Sequence, residues 1–447
     1  MKHKLFILIT LCYTSWVFSQ EIPSSFSLQE AIEFALENNR SAKNAIRNIE
    51  AAEKQKWETT ATGLPQINGG IDYQNWIKQQ VSLLPAEIAG GDPGTFVPVT
   101  FSPKQSVNAT ATLNQLLFDG SYIVGLQSAK VYLEISENAK TKTDLEVRQS
   151  IIDAYGNVLL AEENLLIVNK NIEVLEKNLA ETTKIYENGL AEEESVEQLQ
   201  ITLTSLESYL NNVERLKDLS YKMFNITLGI DLNKQITLTD NLETLTLQNI
   251  SLELLNADEN IENSIDFQIA KNQEVSKELL LKLEKSSFLP SLNAFVNAGY
   301  SGFSEKFTFA NNNQDWYGSS LLGVSMSIPI FSSGMRSSAT QRAKIDLEIA
   351  KEELTETEQQ LKFQIANAKS NYQFAIEEYE NKRQNLNLAE RIEQKNQTKF
   401  FEGIASSFDL RQAQTQLYTA QQEYLQSMFN VIANKAELET ILNTVNY

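Results

Sequence analysis

Two periods of hydrophobicity divide the chain. Over long stretches apolar residues return at alternating steps of three and four. Ile151, Ala154, Val158, Ala161, Leu165, Val168, Ile172, Leu175 and Leu179 keep this spacing, and Thr182 and Tyr186 continue it. Such spacing is a coiled-coil seam, a stripe that each helix turns toward a partner. No Pro interrupts residues 121–187. At ~1.5 Å per residue that stretch predicts a rod of roughly 100 Å. A return helix with Val196, Leu199, Leu203, Leu206, Leu210 and Val213 runs to about Leu228. A second rod over about 335–401 and a second return helix with Leu410, Ala413, Leu417, Ala420, Tyr424 and Val431 repeat the arrangement. Each return helix is little over half as long as its rod. The helices expected over about 41–62 and 265–287 are the candidates to cover the remaining seam.

Four shorter segments have period two. Ile67, Gly69, Ile71 and Tyr73 alternate with Asn68, Gly70, Asp72 and Gln74; Val107, Ala109, Ala111 and Leu113 alternate with Asn108, Thr110, Thr112 and Asn114. Residues 292–300 and 321–330 alternate in the same way. One face is apolar, and the other carries mainly Asn, Thr and Ser rather than Lys and Glu. Segments of this length fit tilted membrane-spanning β-strands with a watered inner face, and also fit two soluble hairpins on a core. Four strands close no barrel, and an open edge in hydrocarbon costs several kcal/mol per unpaired group. Spanning strands would have to be pooled between copies.

The chain repeats itself. Gly63-Leu64-Pro65-Gln66-Ile67 returns as Phe288-Leu289-Pro290-Ser291-Leu292, and Tyr186-Glu187-Asn188-Gly189-Leu190 as Phe400-Phe401-Glu402-Gly403-Ile404. The expected organisation has a first repeat over 20–230, with strands at about 64–77 and 105–118 and a helical hairpin at about 121–229. A linker follows over 231–262. The second repeat covers 263–447, with strands at about 289–303 and 316–331 and a hairpin at about 335–441. The segment 78–104 holds four Pro and three Gly and reads as an irregular outer loop.

Residues 1–19 read as a signal peptide, with Lys2 and Lys4 before an apolar run and Val17 and Ser19 before the cut. Its removal takes away His3 and Cys12, the chain's single His and single Cys. A mature chain without imidazole or thiol has no disulfide, His-based triad or soft-metal ligand set. An enzyme is therefore not expected, nor a cofactor or bound metal. A formal net charge of −20 argues against nucleic acid as a partner.

The Leu-Pro strand entries at Leu64 and Leu289, the run Ser327-Ile328-Pro329-Ile330-Phe331-Ser332-Ser333-Gly334, and Ala31-Ile32-Glu33-Phe34-Ala35-Leu36-Glu37-Asn38-Asn39, in this order within a duplicated layout, resemble the TolC-like outer-membrane efflux channel family. The resemblance implies an α+β fold of mostly long helices. Three copies would form a 12-stranded outer-membrane β-barrel continued by a 12-helix periplasmic α-barrel, with four strands per chain and an internal two-fold repeat. It implies a homotrimer in the outer membrane of a Gram-negative bacterium, embedded in outer-membrane lipid, with a large periplasmic portion. The channel would be the passive exit duct of a tripartite efflux or type I secretion system. It would dock a periplasmic adaptor and, through it, an inner-membrane transporter.

The turns Asn188, Gly189, Leu190 and Glu402, Gly403, Ile404 match the family's adaptor-docking tips. Phe400 and Asp409 match its periplasmic aperture, with Ser195 as the first-repeat counterpart of Asp409. Ala405 stands where the family can carry an Arg in a latching network, so a salt-bridge latch is not expected. Glu192, Glu193 and Glu194 open the first return helix, as favourable charge at a helix N-terminus or as a carboxylate ring at the tunnel mouth. The alternative from another class is a soluble secreted coiled-coil scaffold; a carboxylate-based glycosidase lacks a cleft between two symmetric rods.

Overall fold

The computed structural model describes residues 23–256 and 260–444; the expected signal peptide lies outside the described residues. The described chain opens with β1 (Ser25–Phe26), α1 (Leu28–Asn38), α2 (Arg40–Ala61) and β2 (Gln66–Asn75). A loop carries β3 (Ser82–Pro85) and β4 (Phe96–Val99), followed by β5 (Gln105–Phe118). Then come α3 (Gly120–Glu187), α4 (Glu193–Leu228), β6 (Thr237–Leu238), α5 (Leu242–Gln248) and α6 (Leu252–Leu255). The last part is α7 (Ile265–Ser286), β7 (Ser291–Ser304), β8 (Trp316–Ser327), α8 (Met335–Phe401) and α9 (Ser407–Leu442). Among the described residues no helix is long and apolar enough to cross a membrane. The elements fall into two compact units, Met1–Asn44 with Thr143–Asn260 and Phe363–Tyr447, and Ala45–Lys142 with Ile261–Lys362.

The second unit holds the sheet. Its order is β2-β5-β7-β8, antiparallel throughout. Residues paired across an antiparallel ladder share a face, so the register lets each face be traced across all four strands. Ile67, Leu113, Val296 and Leu322 form one apolar row. Asn68, Thr112, Asn297 and Leu321 form a row on the opposite face, where Asn297 Nδ2 donates to Thr112 Oγ1 at 2.7 Å. The apolar face is bare in the single chain: Ile71 is 78% exposed and Leu322 73%. β2 and β8 each have one paired neighbour in this sheet.

Helices in the same unit follow the strand order. Tyr122 Oη of α3 donates to Thr60 O of α2 at 3.0 Å. Lys142 of α3 pairs with Asp266 of α7 at 2.7 Å. Arg342 of α8 approaches Glu284 of α7 at 3.9 Å.

Two stretches depart from the sequence reading. β8 stops at Ser327 rather than running to 331, because Pro329 has no N–H to give a ladder. The outer loop is not wholly irregular: β3 and β4 form an antiparallel ribbon from Ser82↔Val99 to Pro85↔Phe96. Pro85 and Pro98 fit there, since both strands of a two-stranded ribbon are edges.

The first unit is helical, and the seam read from the sequence is its buried stripe. Val168, Leu175, Leu199, Leu206 and Val213 form one core cluster, flanked by Leu165, Ile172, Leu179, Leu203 and Leu210. On α8 and α9 the buried residues are of another kind: Ile365, Ala368, Tyr372, Ala375 and Tyr379 on α8, and Met428, Val431 and Ile432 on α9. Tyr379 stacks on Tyr424 with centroids 5.8 Å apart.

Two fully buried tyrosines stitch the segment between the repeats to this unit. Tyr155 Oη lies 2.8 Å from Asp240 Oδ2 and 3.0 Å from Phe26 O, beside the parallel pairing of β1 with β6. Burial, with the Asp240 carboxylate as acceptor beside it, pushes this phenol above its ordinary pKa. Tyr372 Oη donates to Asn249 O at 2.6 Å and accepts from Ser251 N at 2.8 Å.

Candidate functional site: two hairpin tips and a buried polar link

Both tip turns belong to the helical unit and close in the same way. Gly189 has φ +75° and Gly403 φ +73°, a left-handed conformation that costs a residue with a Cβ roughly 1–2 kcal/mol. Leu190 N donates to Ile185 O at 3.0 Å, and Ile404 N donates to Lys399 O at 2.8 Å. Gly189 N donates to Tyr186 O and Gly403 N to Phe400 O, at 2.7 and 3.0 Å. These are paired Schellman closures, which satisfy the last carbonyls of α3 and α8. Each leaves an aliphatic side chain in solvent at the position after the Gly: Leu190 is 80% exposed and Ile404 71%. Asn188 Nδ2 donates back to Lys184 O, and Glu402 N to Thr398 O.

Beyond the turns the two tips differ. Ser406 caps α9 in a full capping box with Asp409. Ser406 N and Oγ both donate to Asp409 Oδ2, at 3.0 and 2.7 Å, and Asp409 N donates to Ser406 Oγ at 3.2 Å. The Ser406 bonds hold the exposed Asp409 carboxyl below its ordinary pKa. At the other tip Glu192 is the cap residue and makes no side-chain capping bond. Ser195, half-buried, sits at the place Asp409 takes, with Ser195 N donating to Glu192 O. Ser407 Oγ lies 3.5 Å from Gln198 Oε1, so the first turns of α9 and α4 are neighbours. Phe400 is half-buried and packs edge-on against Phe401 with centroids 5.4 Å apart.

Above the tips the hairpins are joined by amides. Asn171 Nδ2 donates to Gln421 Oε1, and Gln397 Nε2 to Asn178 Oδ1, both at 2.8 Å. Asn178, Thr182 and Gln414 are all but fully buried. Asn178 Nδ2, Thr182 Oγ1 and both Gln414 amide atoms have no hydrogen-bond partner. Burial pushes the nearby Glu393 carboxyl up, against the Gln414 amide. The two bonds that join the rods here are thus between neutral amides.

Two features escaped the sequence reading. The Asn178–Gln397 link joins residues 219 positions apart, which no periodicity reports. Asp72 is the single charged residue in β2, β5, β7 and β8. It lies on the polar face, in a row with Asn108, Ser301 and Tyr317. Counting charges along the strands would have found it. Among the described residues no group of acidic, His or Cys side chains could hold a metal.

A sheet with one apolar and one polar face, carried on paired long helices, defines a class of channel-forming membrane protein. The family model for outer membrane efflux proteins matches residues 31–221 and 257–444, and the chain belongs to that family of TolC-like channels. It is 21% identical to outer membrane protein TolC of Escherichia coli K12, over its whole length and 87% of that protein. Among solved structures it resembles CusC, with a TM-score of 0.75 and 17% identity over 93% of this chain and 92% of that one. It also resembles the outer membrane protein VceC of Vibrio cholerae, with a TM-score of 0.71 and 18% identity over 93% and 95%. For the CmeC outer membrane channel of Campylobacter jejuni the TM-score is 0.70, with 17% identity over 93% and 85%. These likenesses give no support to a soluble scaffold.

Proposed function

We propose that the chain is one of three subunits of a passive exit duct in the outer membrane of a Gram-negative bacterium, exported there by the leader at residues 1–19. The observation that carries this reading is the four-stranded sheet. It has one apolar face, one face lined with Asn, Thr and Ser, and two edge strands. A single copy leaves β2 and β8 without partners in hydrocarbon, at several kcal/mol per backbone group. Joining β8 of one copy to β2 of the next satisfies both. Three copies give 12 strands and room for a watered lumen, whereas eight strands nearly fill their interior with side chains. The polar rows then face water and the apolar rows face lipid. The four helices of each subunit continue the wall as a 12-helix periplasmic tunnel.

In this reading the tip turns dock a periplasmic adaptor that couples the duct to an inner-membrane transporter. Leu190 and Ile404 support it, as exposed aliphatics held at fixed positions by the Schellman turns. Phe400, Asp409 and Ser195 line the periplasmic aperture, and Asp409 stays ionised because Ser406 holds its carboxylate. Energy comes from the transporter, and the chain itself does no chemistry.

Planar-bilayer recording of the purified full-length protein tests the duct. Discrete conductance steps with cation preference are expected, and Asp72→Asn reduces that preference by removing the strands' one charge. A preparation that never conducts, or that is a water-soluble monomer without detergent, overturns the reading. Leu190→Asp with Ile404→Asp should abolish adaptor co-purification while leaving conductance intact.

A further inference from the structure

Within the sheet-bearing unit a cavity of about 410 Å³ opens between α2, α3 and α7. Its walls include Gln55 and Thr59 of α2, Gly125 and Ser128 of α3, and Ser276 and Leu280 of α7. The hydroxyls among them are spent on their own helices. Thr59 Oγ1 donates to Gln55 O, Ser128 Oγ to Val124 O and Ser276 Oγ to Asn272 O, at 3.0, 3.0 and 2.8 Å. Their donor hydrogens are thereby committed, so what these side chains offer the cavity is carbon and an accepting oxygen. Tyr132 and Leu280 stand half-exposed at its side, and Tyr132 and Gln55 bring the free hydrogen-bond donors, a phenol and a carboxamide, to a lining of aliphatic carbon and committed hydroxyls.

Gly125 makes the cavity hard to dismiss as ordinary packing. A mid-helix Gly is unfavourable relative to Ala, and such a residue usually answers to a close neighbour. Gly156 of the same helix does: a Cβ there would meet the Phe429 ring at 2.7 Å. At Gly125 a Cβ would meet nothing nearer than Thr59 Cγ2 at 3.8 Å, an ordinary contact. No neighbouring helix needs the missing side chain. Its absence leaves open space beside Ser128 and Ala129, which extend the small-residue surface along the same wall.

We propose that this cavity is a binding site for a compact lipophilic molecule bearing one hydrogen-bonding group. Its volume falls in the range of small-ligand pockets, and an apolar lining with one or two polar groups is how such pockets combine affinity with orientation. The apolar body of the ligand lies against Gly125, Ser128, Ala129 and Leu279. Its polar group meets Tyr132 Oη or the Gln55 amide. Three helices of one unit line the space, and it opens to solvent at Gln55, Tyr132 and Leu280; a recess of this depth suits a small molecule better than a flat surface of a second copy. The inference concerns binding and stands apart from whether the assembly conducts.

The test is saturable binding of N-phenyl-1-naphthylamine to the full-length protein in amphipol, read by fluorescence against protein-free amphipol. Wild type should bind saturably. Gly125→Leu, which projects into the cavity, should weaken binding at least ten-fold, and Tyr132→Phe a few-fold. Gly125→Ala adds one methyl where there is room; it should leave binding within two-fold and raise Tm, showing that the helix does not need the Gly for packing. Absence of saturable binding to wild type, or binding unchanged in Gly125→Leu, overturns the proposal. So does a loss of oligomer mass in Gly125→Leu together with a wild type insensitive to the probe, which would mean that a second copy fills the space.

Discussion

The two hairpin tips share one backbone and differ in their decoration. At both, a Gly with φ near +75° and two reverse hydrogen bonds finish the descending helix, and both hold an aliphatic side chain out in water. The ascending helices begin in unlike ways. α9 starts from a closed Ser406–Asp409 box, and α4 from Glu192 with no capping bond and Ser195 in the acid's place. The turn obeys the geometry of reversing a helix, which both repeats must satisfy. The cap is a contribution of about 1 kcal/mol that one repeat has and the other does without. A carboxylate at Asp409 therefore belongs first to its own helix, and only its second oxygen is left over for anything at an aperture.

The largest expected effect tests what the tips share. Gly189→Val and Gly403→Val should each cost about 1–2 kcal/mol of local stability. Hydrogen exchange of the amides at 190 and 404 should quicken by about ten-fold or more, equally at both tips. An effect confined to one tip would break the equivalence.

A smaller effect tests what they do not share. Ser406→Ala should lower the opening free energy of the first turn of α9 by about 1 kcal/mol, while Glu192→Ala changes α4 by no more than a few tenths. The converse experiment is to install the missing box: Glu192→Ser with Ser195→Asp should slow exchange at the start of α4, a gain of about 1 kcal/mol or less. No gain would mean that the Glu192 backbone cannot adopt the boxed cap.

Acid gives the smallest effect. Asp409 has a folded pKa below its unfolded value near 3.8, so its contribution is present above that value and fades as pH falls through the folded pKa. Protection of the first-turn amides of α9, taken relative to their intrinsic exchange at each pH, should fall below about pH 4. Asp409→Asn should remove that dependence. A dependence that survives the substitution would assign it to another group.

Much of the fold was legible in the sequence. The seam on α3 and α4 was read from spacing because a buried stripe on a rod cannot escape a period near 3.5. The sheet's faces were read from alternation because the period is two. The ribbon of β3 and β4 was not, since four-residue strands give alternation no room and Pro85 and Pro98 argued against strands of any kind. β1 and β6 are two residues each, and pair across more than two hundred positions. At the tips, the Gly turns were readable as helix ends, whereas Asp409 was read through family resemblance and its local partner three residues earlier was overlooked. Tyr155 and Tyr372 drew no notice in the spacing. Only the chain's return to them shows that their hydroxyls pin the linking segment.

The amides between the rods repeat at the interval of the seam itself. Asn171 and Asn178 stand seven residues apart on α3, as do Gln414 and Gln421 on the antiparallel α9. With Gln421 bonded to Asn171, Gln414 is level with Asn178. Displacing one helix by seven residues, about 10 Å, would bring Gln414 to Asn171 or Gln421 to Asn178. Only the amides would match in such a slip: the α9 seam mixes Leu417, Ala420, Tyr424 and Val431, so side chains of unlike size would change places, and the register is held by shape where it is not held by polarity.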